Sequence, residues 1–216
     1  VRDAKRTSGR QQGRAVVCRR QRDAAFAHAE LAPVSGARVP LLAVLGPSGV
    51  GKTTLLCGVL PRLRAGGLRV AVVKQACDAF DVDTPGKDSY ELRKAGLART
   101  LVTGVGQTAL IVESPAAAPA SLADALALLP TAGLDLILVE GFATAGLPAL
   151  ELRRRAVPAP ARYPGDAAVL AVATDAPLTP APGVAVYALD DHPAIAAFML
   201  DFCASRRTAP TPEAQP

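Results

Sequence analysis

Eight residues constrain this chain more than any others: Gly46-Pro47-Ser48-Gly49-Val50-Gly51-Lys52-Thr53, which fit the spacing G-x-x-x-x-G-K-[ST] of a phosphate-binding loop. The flanks carry as much weight as the pattern. Ahead lies Val39-Pro40-Leu41-Leu42-Ala43-Val44-Leu45, an apolar run of strand length, and behind it Thr54-Leu55-Leu56-Cys57-Gly58-Val59-Leu60 reads as a helix. Strand, glycine loop and helix are the arrangement that phosphate capture needs. Glycines let successive backbone N–H groups turn inward, and a helix start adds unpaired donors and partial positive charge. Gly46, Ser48, Gly49, Val50, Gly51 and Thr54 would line the cradle with Lys52, whose ammonium reaches the β- and γ-phosphates; Thr53 offers a hydroxyl to Mg²⁺.

The rest of the chain fits around that unit. Between residues 39 and 206 strand and helix signals alternate, which argues for an α/β fold of the P-loop NTPase kind, with a mostly parallel (mixed) sheet and helices on both faces. Helix one should run to about Arg64, kinked or shortened by Pro61 and closed by Gly66-Gly67. Leu68–Lys74 is a strand. A helix follows over Asp88–Gly96, with Asp88 as N-cap and Gly96 as its stop. Further strands are expected over Arg99–Val102, Ala109–Glu113, Leu134–Val139, Ala149–Arg153, Ala167–Ala173 and Val184–Ala188. Ser121–Leu129 reads as a helix whose leucines face a core, and a closing helix spans Pro193–Ser205 with His192 near its start.

Charge divides the chain. The net charge of +5 resides in residues 1–38, which hold 9 Lys+Arg against 3 Asp+Glu; the remainder holds 15 against 16. That leader, rich in Arg, Gln, Ser, Gly and Ala, is expected to be disordered, as is the 207–216 tail. The basic leader suits an anionic surface, though nucleic-acid binding ranks last among the readings. No apolar run approaches the ~18 residues of a membrane span and no signal peptide is evident. Cys18, Cys57, Cys77 and Cys203 are far apart with no C-x-x-C, which fits reduced thiols in the cytoplasm.

A phosphate loop wants a carboxylate at the end of a neighbouring strand to orient the Mg²⁺ shell. Asp135 opens and Glu140 closes one strand, about 16 Å apart. Ligands of open α/β sheets bind at the carboxyl ends of strands, so Glu140 is the choice. Asp78, Asp81 and Asp83 follow the second strand and lie at the same edge; Asp83 or Asp81 could hold the metal, or Lys87, Arg93 and Lys94 could neutralise them. The guanine-reading N-K-x-D is impossible, since the chain has no Asn. Thr174-Asp175 ends a buried strand instead, where a carboxylate can accept from guanine N1–H and N2–H₂. Arg153-Arg154-Arg155 is either an anion site or a solvated basic edge. His28 and His192 have no metal-site spacing.

GPSGVGKTTLL, DVDTPGKDSYELRKAG, LDLILVEGF and VLAVATDAPL, in this order, resemble the MobB family of molybdenum-cofactor biosynthesis, over roughly Pro40 to Arg206. The second block is the most specific. The resemblance implies a GTP- and Mg²⁺-binding adaptor to the guanylyltransferase (MobA-like) that joins GMP to molybdopterin. It also implies slow GTP hydrolysis at most, a homodimer, and contact of molybdopterin or its dinucleotide, or of the partner, with Lys87, Asp88, Ser89, Arg93 and Lys94. Two departures stand out. Gln75-Ala76-Cys77-Asp78-Ala79 replaces a histidine-containing run, and Ala143 and Ala149 stand where lysines are usual. The competing readings are a small-molecule kinase, which would want a mobile arginine lid, and a metal-delivery GTPase, which would want Cys/His ligands near the loop.

Overall fold

The computed structural model of the chain describes residues 39–76, 80–113, 120–142, 144 and 146–207. The expectations for residues 1–38, His28, Cys18, Cys77, Asp78, Ala143 and the final tail lie outside the described residues.

The elements run β1 (Leu41–Leu45), α1 (Lys52–Ala65), β2 (Val70–Lys74), α2 (Asp88–Lys94), β3 (Arg99–Gly104), β4 (Gln107–Val112), α3 (Leu122–Ala127), β5 (Leu136–Glu140), β6 (Ala149–Arg153), β7 (Val169–Thr174), β8 (Ala185–Ala188) and α4 (His192–Arg207). Six strands form one sheet in the order β2-β5-β1-β6-β7-β8. Every pairing in it is parallel. This is the α/β architecture expected. β3 and β4 stand apart as an antiparallel hairpin, from Arg99↔Val112 to Gly104↔Gln107.

The apolar runs become inner strands because both faces of the sheet are covered. β5 is buried at every position. Along β1, Leu42 and Val44 enter a core with α1 and α4, while Ala43 points to the other face among Tyr163, Val169 and Val172. The first core takes Leu55, Leu56, Val59 and Leu63 from α1 and Ile195, Met199 and Phe202 from α4. Fully burying one such leucine stabilises the fold by about 1.5–3 kcal/mol. The strand after which the glycine loop leaves is therefore held on four sides: by β5, by β6 and by both layers.

Three local expectations need correction. Pro61 neither ends nor shortens α1, which continues to Ala65. It sits on the exposed side of the helix, in its last turn and a half, where one missing amide donor interrupts least. Asp88 is the first residue of α2 rather than its cap, a position held by Lys87. The leucines of α3 are not core: the helix is six residues long with none buried. It is fixed by a capping box in which Ser121 Oγ accepts from the Asp124 amide at 3.1 Å and Asp124 accepts from the Ser121 amide at 3.0 Å. Among the described residues, no helix is long and apolar enough to cross a membrane.

Candidate nucleotide-binding site

The phosphate loop joins the carboxyl end of β1 to α1. Gly46 has φ of 137°, and a Cβ there would lie 2.8 Å from the Leu152 carbonyl oxygen, so only glycine lets the loop pass β6. Val50 is fully buried and pins the loop into the core. Gly51, at φ 108°, is the N-cap of α1 and contributes no side-chain cap. The first turn of α1 carries no acidic residue, so its amides and partial charge remain available to an anion. Ser48, Gly49, Thr53 and Thr54 are exposed around this helix start.

Lys52 Nζ donates to the carbonyls of Gly46 and Pro47, each at 3.0 Å, and lies 3.9 Å from Glu140 Oε1. Glu140 closes β5 directly beside Val44 of β1, and its carboxylate is buried. Lys74, at the end of β2, approaches the same oxygen at 3.5 Å. Glu140 thus stands at the ligand edge next to the loop. Asp135, at the opposite end of its strand, accepts the Arg69 amide at 2.7 Å and helps seat the start of β2.

From Gly51 a cleft of about 350 Å³ opens along Thr54 and Leu55 toward the ends of β7 and β8, where Thr174, Asp175, Ala188, Leu189 and Asp190 line it. The pair Thr174-Asp175 therefore shares a cleft with the phosphate loop. Thr174 is buried, and its hydroxyl accepts the Ala176 amide at 3.1 Å. Asp175 is exposed, and one carboxylate oxygen accepts the Arg155 amide at 2.7 Å. His192 also lines the cleft; its ring packs so closely on Gly58 that a Cβ there would overlap it.

Asp81 and Asp83 are brought together, but around Arg93. That buried guanidinium meets Asp81 at 2.9 Å, Asp83 at 3.2 Å and Glu113 at 2.8 Å. Lys94 approaches Asp81 at 3.8 Å, and Ser89 Oγ donates to Asp83 at 3.0 Å. Bonding from Arg93, then from the Asp83 amide, holds the Asp81 carboxyl below its usual range. At Asp83 burial opposes the charge, and the Ser89 and Arg93 bonds overcome it, so this carboxyl is lowered too. The three carboxylates in turn raise Arg93. Among the described residues, none of the ion pairs or hydrogen bonds of Asp81 and Asp83 goes to the phosphate loop. Lys87, Asp88 and Lys94 are exposed around this knot, whereas Arg93 faces inward. Among the described residues, no group of three or more His, Cys, Asp or Glu side chains could hold a metal ion.

Comparison with known proteins agrees with this geometry. The family model for "MobB: Molybdopterin guanine dinucleotide synthesis protein B" matches residues 41–175. The chain belongs to the MobB family. The match runs from the first strand, through the loop and Glu140, to Asp175, and leaves out the lining residues from Ala188 to His192. The chain is 41% identical over 165 residues to the molybdopterin-guanine dinucleotide biosynthesis adapter protein of Escherichia coli, covering 76% of this chain and 93% of that one. It is 38% identical over 141 residues to the protein of that name from Haemophilus influenzae, covering 65% and 78%. A crystal structure of molybdopterin-guanine biosynthesis protein B superposes with a TM-score of 0.54 at 26% identity, covering 76% of this chain and 99% of that one. A MobB homologue from Bacillus stearothermophilus gives 0.55 at 25% identity, covering 76% and 98%.

One buried structural carboxylate and one residue of the cleft were not singled out by the sequence. Glu151 is a buried carboxylate in the middle of β6; its two oxygens accept the amides of Arg162 at 2.8 Å and Tyr163 at 2.9 Å. Its signal was a lone charge in the apolar run Ala149-Leu150-Glu151-Leu152. Arg154 was visible only as one of three arginines. In the fold it alone of the three lines the cleft, with Nε donating to the Val50 carbonyl at 3.1 Å.

Proposed function

We propose that the chain is a GTP-binding adaptor of molybdenum-cofactor biosynthesis that assists attachment of GMP to molybdopterin. The observation that carries this is the shared cleft: Gly51 at the end of the loop, Thr54 in the first turn of α1 and the Thr174-Asp175 pair line one space of a volume that suits a small ligand. The triphosphate lies on the amides of Gly46–Thr54 with Lys52 at its β- and γ-phosphates. The base reaches Asp175, whose carboxylate accepts from guanine and finds no matching donor pair on adenine.

The residues present suit Mg²⁺, which supplies charge neutralisation on the β- and γ-phosphates. Thr53, at the helix start, and Glu140, at the end of β5, are the residues that would hold the ion. Asp81 and Asp83 serve the metal only by giving up Arg93. Lys87, Asp88, Ser89 and Lys94 present a polar surface to molybdopterin or to the guanylyltransferase, and Arg93 holds that surface in shape. The protein works in the cytoplasm as a homodimer, a reading supported by the apolar side chains that the β3–β4 hairpin leaves exposed: Leu101, Val102, Val105 and Leu110. Hydrolysis is slow, and binding rather than turnover is the task.

Calorimetry with GTP, ATP and their diphosphates, with and without Mg²⁺, tests the proposal. GTP is expected to bind more tightly than ATP, and Asp175→Ala to weaken GTP more than ATP. Equal losses would remove the base-reading role. Transfer of the γ-phosphate to a small molecule would favour a kinase instead.

A further inference from the structure

Arg154 is placed unlike its two neighbours. It follows β6, on the side of β1 opposite Glu140, because β1 lies between β5 and β6. Its backbone is fixed on both sides. The Arg154 carbonyl accepts the Val157 amide at 3.0 Å, and the next amide, that of Arg155, is bonded to Asp175. Its guanidinium is half-buried against the phosphate loop, with Nε on the Val50 carbonyl and Nη2 3.2 Å from where a Gly51 Cβ would stand. A side chain at residue 51 would crowd it.

Among the described residues no carboxylate lies within ion-pair distance of this charge, although Asp175 and Asp190 line the same cleft. Asp175 bonds the Arg155 amide. A part-buried guanidinium beside a helix start with no acidic first turn concentrates positive potential on one spot. Lys52 serves the other flank of the loop, toward Glu140. A nucleotide with its terminal phosphates at Lys52 and its base at Thr174-Asp175 must run its inner phosphates past Arg154.

We propose that Arg154 is a nucleotide-binding residue that pairs with the α- and β-phosphates of the guanine nucleotide, setting affinity for the diphosphate and triphosphate alike. This rests on the guanine-nucleotide reading above. The guanidinium fork suits two phosphate oxygens, and its bond to Val50 aims it before the ligand arrives. The charge serves the ground-state complex and is not reserved for transfer of the γ-phosphate.

Titration of GDP and GTP, with Mg²⁺, into the full chain tests this. Arg154→Ala is expected to weaken both nucleotides by the same factor, about 10–100-fold, the range of a lost charge-assisted phosphate contact. The ratio of the two affinities should stay within about twofold of wild type, since each loses the same contact. Arg154→Lys should recover part of the loss. Between about 50 and about 300 mM salt, Arg154→Ala should lose GDP affinity less steeply than wild type, because one screened ion pair is gone. Unchanged GDP affinity in Arg154→Ala overturns the proposal, and so does a loss confined to GTP. A loss that Lys does not relieve, with an unaltered salt dependence and a lower melting temperature of the ligand-free protein, would reduce Arg154 to a prop for the Val50 carbonyl. Wild-type protein that binds neither GTP nor GDP would remove the underlying reading as well, an outcome visible before any Arg154 variant is made.

Discussion

The phosphate loop and the Asp81–Glu113 segment are built on opposite plans. The loop leaves a strand held on four sides; Lys52 turns to the loop's own carbonyls and toward Glu140, and Arg154, from the end of β6, lines the cleft beside it. The second segment spends its charges on itself. Arg93 binds three carboxylates, and the hairpin beyond exposes Leu101, Leu110 and Val105. A rigid cradle can leave Arg154 without an ion pair because the core, not the charge, holds its shape. A segment without a large core uses ion pairs to stay folded, and its apolar side chains remain for another surface.

The sharpest way to break this contrast is a cavity under the loop. Leu138 is fully buried in β5, beside Leu42. Leu138→Ala should cost about 2–5 kcal/mol in denaturant unfolding, the range for buried leucine truncation. A loss under about 0.5 kcal/mol, typical of a surface site, would mean that the sheet is not the loop's support. Arg93→Met comes next. It leaves Asp81, Asp83 and Glu113 facing one another without a cation, so protease cleavage and amide exchange should rise across residues 80–113. GTP affinity should change by less than about threefold, because the two regions share no charge pair. A collapse of GTP binding would show that Asp81 and Asp83 belong to the metal site after all.

Acid offers a gentler test. Both aspartates are held below their ordinary value of 3.8, so their pairing contributes stability that is present above that value and is lost as pH falls through the lowered ones. Exchange protection in α2 should therefore fade in acid below the ordinary carboxylate range. Arg93→Met should remove that pH dependence. The smallest effect on stability is expected from Leu101→Lys with Leu110→Lys, a cross-strand pair on the exposed hairpin. Melting should move little, while sedimentation should shift from dimer to monomer. A wild-type monomer, or a dimer that survives the change, would place the self-association elsewhere.

Much of the loop's half was legible in the chain because its signals are local. A strand, a fixed glycine spacing and a helix sit within some two dozen residues, and the end of an apolar run locates Glu140 and Thr174-Asp175 at the carboxyl edge of the sheet. What escaped depends on distant partners. Nothing near Glu151 announces that its donors are the amides of residues 162 and 163, eleven and twelve positions on. Three consecutive arginines look alike until β6 is placed beside the loop and turns only Arg154 to Val50. The leucines of α3 carry helical spacing, yet a six-residue helix offers too short a stripe to enter a core. The acidic block carried two readings, a metal on Asp83 or Asp81 or neutralisation by Lys87, Arg93 and Lys94; the fold sets Arg93, and more distantly Lys94, against them.

The most direct measurement is calorimetric titration of GTP, with Mg²⁺, into wild type and Lys52→Ala, each checked for an unchanged ligand-free melting temperature. Wild type should bind, and Lys52→Ala should lose at least about 100-fold, as expected when a desolvated ammonium leaves two phosphates. Wild-type affinity in Lys52→Ala, with the fold intact, would contradict a triphosphate seated on this loop.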